Sequence, residues 1–170
     1  MHLHLPIPAE WRQYENDGRR WYMPHASNAV TLVVDPMEPF PPLRQPAWIL
    51  ERVRRDIPDG ANLVVREVIS ETTSVGWPTN VLDIQIVDSG AAALGKGSAS
   101  SSAQAGRLIE QRITTCYRFL EYCVIAEVRA RDLAMLTELK DQLRALLAEG
   151  RPDWSGSDTS VHRLLDGITR

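Results

Sequence analysis

The chain has 170 residues, enough for one domain and little more, and 44% of them are apolar, enough to build a core. A net charge of -3 and a pI near 5.8 exclude the basic stripe of a nucleic-acid binder, and no run of about 18 apolar residues is present to cross a membrane. The two cysteines, Cys116 and Cys123, are too few for a disulfide framework and lack zinc-ligand spacing.

The N-terminus reads MHLHLPIPAEW. It has no basic stretch followed by an apolar core, so no secretory signal is read and the expected location is the cytoplasm. The first residues are expected to be mobile. Residues 10–15 form the first predicted strand, Asn16-Asp17-Gly18 the turn after it, and residues 19–23 its hairpin partner, because Asn, Asp and Gly tolerate left-handed geometry. The β-branched run Val30, Thr31, Val33 and Val34 predicts a third strand over residues 28–35.

Residues 36–46 contain five prolines, which remove backbone donors and make a stiff, irregular connection. A helix is predicted from Pro46, with Ile49, Leu50, Val53 and Ile57 at helical spacing, ended by Pro58-Asp59-Gly60. Longer strands follow at residues 63–70 and 79–87, the second entered through Gly76-Trp77-Pro78. In that strand Leu82, Ile84 and Ile86 alternate with Asp83 and Gln85, the period of a half-buried strand.

Residues 88–106 are nearly all Gly, Ala and Ser and read as a flexible loop. Residues 108–120 and 122–130 read as two strands joined at Glu121, or as one long bent strand. A second helix is predicted over residues 132–149, with Asp132 as its N-cap, a leucine stripe from Leu133 to Leu147, and Gly150 and Pro152 ending it. Residues 1–150 then form one domain. Residues 151–170 are a tail with room for one short helix carrying Val161, Leu164, Leu165 and Ile168.

This order predicts an α+β fold with a mostly antiparallel sheet. Alternation places Leu63, Val65 and Ile69 on one face of their strand and Val64 and Val68 on the other. Tyr117 and Phe119 oppose Cys116 and Leu120, and Tyr122, Val124 and Val128 oppose Cys123 and Ile125. Two helices are too few to cover both faces of such a sheet. The surplus is a docking surface or dimer interface, unless the N-terminal strands and the tail cover it. The candidate partner-binding residues are Val33, Val64, Val68, Leu82, Ile84, Ile86, Cys116, Leu120 and Ile125, and a one-residue register error exchanges them for the opposite face.

The remaining motifs carry less. Gly90 to Lys96 matches the first seven positions of a phosphate-binding loop, but Gly97 stands where Ser or Thr should hold magnesium and no helix pattern follows. Cys116 and Cys123 have no histidine close in sequence, and free cysteine is commonly a small buried apolar residue. His2 and His4 are too few to hold a metal without His25 or His162. No acidic pair stands out for acid–base chemistry. Trp11, Trp21, Trp48, Trp77 and Trp154 are many for this length, and serve the core or anchor a partner. No catalytic residue, metal or cofactor is assigned.

The start Pro8-Ala-Glu-Trp11, the strand Val30 to Val34, the turn Gly76-Trp77-Pro78, the long return strands over residues 112–128 and a closing helix together resemble the DcrB/PsbP-like, Mog-type superfamily over about residues 7–149. The resemblance implies an α/β/α sandwich and a mainly non-enzymatic role. It is closest in character to the Eag-type chaperones, which implies a homodimer shielding the hydrophobic segments of a type VI secretion effector. The rival expectation is a regulatory or structural subunit that binds a folded partner such as a small GTPase or a secretion-machine component.

Overall fold

The computed structural model describes residues 2–24, 28–39, 45–88 and 107–153. The glycine-rich Gly90 to Lys96 motif, Trp154 and the helix expected in the tail lie outside the described residues.

Ten strands and two helices occur among the described residues. Strand β1 (His2–His4) pairs antiparallel with β10 (Arg151–Asp153). The main sheet is antiparallel, in the order β2 (Arg12–Asn16), β3 (Arg19–Met23), β4 (Val30–Val34), β9 (Tyr122–Ala130), β8 (Leu108–Phe119), β7 (Pro78–Asp88), β6 (Ala61–Thr72). Strand β5 (Glu38–Pro39) adds to β9 beyond β4, so two residues of the proline-rich connection are paired. Helix α1 (Gln45–Arg55) lies on one face of the sheet and α2 (Leu133–Ala148) on the other, giving the expected α/β/α sandwich.

The reasons are local. Asp17 and Gly18 take φ of 51° and 72° in the β2–β3 hairpin, the left-handed pair that a two-residue turn requires. The Asp132 side chain accepts from the Ala134 and Met135 N–H groups at 2.9 and 3.0 Å, capping α2. From α2, Leu136, Leu139, Leu143, Leu146 and Leu147 pack on Val30, Leu32, Val34, Tyr117, Phe119, Val124 and Val128. From α1, Ile49 and Val53 pack on Leu82, Ile84, Cys116, Cys123 and Ile125.

Three expectations are corrected. The N-terminus is fixed rather than mobile: Leu3 and Leu5 are buried beside α2, and His2 Nε2 lies 3.0 Å from Asp153. Leu120 belongs to the tight turn between β8 and β9, with φ 56°, and is exposed rather than on a strand face. The faces of β6 change along its length. A bulge between Val65 and Glu67 adds one residue, so Val65 and Val68 both point toward the α1 side, opposite Ile84 and Leu82, while Ile69 turns to the α2 side opposite Val81.

Candidate functional site

Helix α2 covers β4, β9 and part of β8, but the sheet continues through β7 to β6. Between the helix and that uncovered half runs a groove of about 230 Å³. Its sheet wall is built from Ile69, Val81, Ile113, Thr115 and Val128. Its helix wall is Leu136, Leu143 and Leu147, three residues of the leucine stripe that also serve the core. Charge stands at both rims: Glu67, Glu71 and Asp83 on the sheet, Lys140 and Arg144 on the helix. Arg144 Nη2 meets Glu71 Oε1 at 3.5 Å across one end. An apolar trough with ionic banks has the shape and character that suit an amphipathic or apolar segment.

The nine residues expected to bind a partner are not brought together on a surface. Val33, Leu82, Ile84, Ile86, Cys116 and Ile125 all face the α1 side and are buried in this chain. Val64 and Val68 are exposed on β6, an edge strand of the sheet among the described residues, on opposite faces, and Leu120 is exposed in its turn. Apolar strand side chains remain exposed at Val64, Val65 and Val68 on β6, and Ile69, Val81 and Ile113 are half-buried on the α2 side. The signal for the α2-side residues was the alternation of Val81 and Asp83 against Leu82 and Ile84, read with the other face outward.

Next to the apolar contact of α1 lies a cluster of buried and half-buried charged side chains. Glu127 Oε1 accepts from Arg129 Nε at 2.6 Å and Arg112 Nη1 at 3.4 Å, and its Oε2 accepts from the Thr114 hydroxyl at 3.1 Å. Asp56, just past α1, pairs with Arg129 and Arg112, and Arg112 also donates to the Asp56 carbonyl at 3.2 Å. Arg52 joins Asp35 and Glu38. Burial opposes the charge of Arg129, but Glu127 and Asp56 more than offset it and hold its pKa above the ordinary arginine value. Each member faces an opposite charge, so the cluster fastens α1 to the sheet, with Arg52 Nε left buried and without a hydrogen-bond partner among the described residues.

The Cys123 thiol is not primed for attack. A hydrogen bond with Cys116 and burial push the Cys123 thiol well above its ordinary pKa, so the nucleophilic thiolate is disfavoured. Burial likewise raises Tyr117, whose hydroxyl donates to the Leu147 carbonyl at 2.7 Å. Among the described residues no group of three His, Cys, Asp or Glu is placed to hold a metal ion, and no helix is long and apolar enough to cross a membrane. Trp11 is buried in the core, Trp77 meets Phe119 edge-on at 5.1 Å, and Trp21 stacks on Tyr14 at 5.7 Å with Arg129 over it.

No family model and no curated protein matches the chain. Solved structures do match it. A solution structure of cyanobacterial PsbP from Synechocystis is similar with TM-score 0.64 and 6% identity, over 89% of this chain and 87% of that one. The fold is the PsbP/Mog1-like one. A Pseudomonas aeruginosa protein of unknown function, described as a putative regulator, is similar with TM-score 0.53 and 10% identity, over 90% of this chain and 99% of that one. The Saccharomyces cerevisiae Ran-binding protein Mog1p is similar with TM-score 0.51 and 9% identity, over 88% and 89% of the two chains. Identities this low carry the architecture alone, and the expected α+β sandwich agrees with it.

Proposed function

We propose that this chain is a non-catalytic, cytoplasmic protein-binding chaperone or adaptor that shields a hydrophobic segment of a client, of the kind carried by type VI secretion effectors. The observation that carries this reading is the groove between α2 and β6–β8, where Ile69, Val81 and Ile113 face Leu143 and Leu147 without a covering element among the described residues. Replacing water against those side chains is worth roughly 25 cal/mol per Å² of apolar surface covered, so an apolar helix is a favoured occupant. Lys140 and Arg144 on one bank and Glu67 and Glu71 on the other suit the polar flanks of such a helix.

A homodimer is part of this reading, with β6, one of the two edge strands of the main sheet among the described residues, as the edge through which a second copy can pair. A second reading is a regulatory or structural subunit for a folded partner. It is favoured by the shared fold of Mog1p, which is described as Ran-binding.

The test is titration of the purified chain with a labelled, lysine-flanked leucine–alanine helix. Ile69→Arg puts a charge into the groove at a half-buried position of an edge strand, and the expected result is at least tenfold weaker binding, about 1.4 kcal/mol, with an unchanged circular dichroism spectrum. Equal binding by the variant and the original chain rejects the groove.

A further inference from the structure

We infer that the groove between α2 and β6–β8 is filled, while no client is bound, by the chain's own residues 159–170. This deepens the reading proposed above, because it names what covers the same groove before a client arrives.

Those residues have the pattern of a helix that needs a surface. At about 100° per residue, Val161, Leu164, Leu165 and Ile168 fall within an arc of about 100°, while Arg163, Asp166 and Arg170 fall on the opposite side. Asp158 precedes the stripe as an N-cap. A helix this short is marginal in water by itself, since nucleation costs more than a few turns return. Its stability must come from packing the apolar side.

The groove is a matching surface within reach. Ile69, Val81 and Ile113 in its sheet wall are half-buried, so apolar area is still open to an occupant. Along α2 it runs from Leu136 to Ala148, about 18 Å at 1.5 Å per residue, and residues 159–170 as a helix measure about the same. The chain leaves α2 through β10, which pairs with β1, and β1 is tied to β3 on the side of the sheet away from β6. The segment must therefore double back. Asp153 is at most about 18 Å of extended chain from Ala148, and the stretch from Asp153 to Val161 reaches about 26 Å, so Val161 can enter the groove at its Ala148 end. Ser155-Gly156-Ser157 put no bulky side chain in that return. From there the segment runs toward Leu136, antiparallel to α2.

Tethering favours this occupant over a free one. A short linker holds the segment near the groove at an effective concentration in the millimolar range. An intrinsic dissociation constant of ~0.1 mM then fills about nine grooves in ten and weakens a client's apparent affinity about tenfold. A client must displace the segment, so the apolar wall stays covered until the client takes its place.

The test compares the full chain with the double variant Leu164→Glu, Leu165→Glu, which puts charge on the apolar side of the segment and replaces no core side chain. Methyl NMR spectra of both are recorded over a range of protein concentration, and both are titrated by fluorescence anisotropy with the lysine-flanked leucine–alanine helix. The signals of Ile69, Val81 and Ile113 are expected to differ between the two proteins, and those of Ile49 and Val53 beneath α1 to coincide. The variant is expected to bind the helix about tenfold more tightly. Coincident groove signals, or equal binding of the helix by both proteins, overturn the inference; binding by the original chain that Ile69→Arg loses then leaves the proposed role of the groove standing. Groove signals that differ, with no binding of the helix by either protein, uphold the segment as occupant and overturn the client reading. A difference that fades as the original chain is diluted assigns the groove to the same segment of a second copy and overturns the intrachain inference.

Discussion

Single side chains set the limits of the fold, and Gly150 shows how. A Cβ added there would sit 2.4 Å from Tyr117 Cε1 and 2.8 Å from Cζ. The ring cannot swing aside without breaking its hydroxyl's bond to the Leu147 carbonyl, and it is held between Phe119 and the end of α2. Gly150 therefore permits the close approach that lets the helix end against the sheet, a need of space rather than of backbone conformation. Gly150→Ala is expected to destabilise the chain by about 2 kcal/mol, from overpacking and partial loss of the tyrosine bond. The midpoint of urea unfolding checks it, and a midpoint equal to the original chain's would mean that the ring yields freely. The sequence marked Gly150 only as a helix stop. Its contact with a residue 33 positions earlier depends on how α2 crosses β8, which no local pattern encodes.

At the scale of elements, what could be read and what could not divide along one line. The strands at residues 63–87 and 108–130 were legible because β-branched runs and strict alternation are local signals. The turn at Asp17-Gly18 and the cap at Asp132 were legible for the same reason. The bulge in β6 was not, since an extra residue leaves no mark in composition, yet it moves Ile69 from one face to the other. The face that α1 covers was also hidden, and with it the fact that Leu82, Ile84 and Ile125 are core. Nor did scattered acidic and basic residues announce that Arg112, Glu127 and Arg129 would gather beneath that helix. Among them Glu127 bridges the two arginines, while Arg112 also pairs with the buried Glu110 at 2.5 Å and both arginines pair with Asp56. Glu127→Ala is expected to destabilise by about 1.5–3 kcal/mol, since the arginines keep Glu110 and Asp56 as partners and lose a buried charged hydrogen bond. The exposed pair Glu51–Arg54 within α1 gives the control, since Glu51→Ala should change stability by less than about 0.5 kcal/mol. Comparable losses in the two variants would show that the network beside α1 is solvated and does not fasten the helix.

For the whole molecule, the decisive feature is where the chain's early and late segments meet. Alternation could not predict β1, because three residues are too short for a period, and the sequence read as a loose end. In the fold β1 and β10 form a separate ribbon, which carries Leu3, at 1% exposure, and leads to Leu5, at 7%, into the same core as the leucines of α2. Arg20 on β3 donates to the Leu3 carbonyl, so the ribbon is also tied to the main sheet. The helix that walls the groove is thus held from below by residues nearly the full chain length away. Burying a leucine side chain is worth about 1.5–3 kcal/mol, so removing residues 1–5 should lose about 3–6 kcal/mol, a large part of the 5–15 kcal/mol that holds most domains together. The melting temperature is expected to fall by roughly 10–20 °C. His2→Ala removes only a half-exposed contact to Asp153 and should move it by less than roughly 4 °C. Calorimetry of both variants separates the two contributions. Equal, small shifts would mean that the α2 side of the core closes without the N-terminal leucines, and that the groove wall does not depend on them.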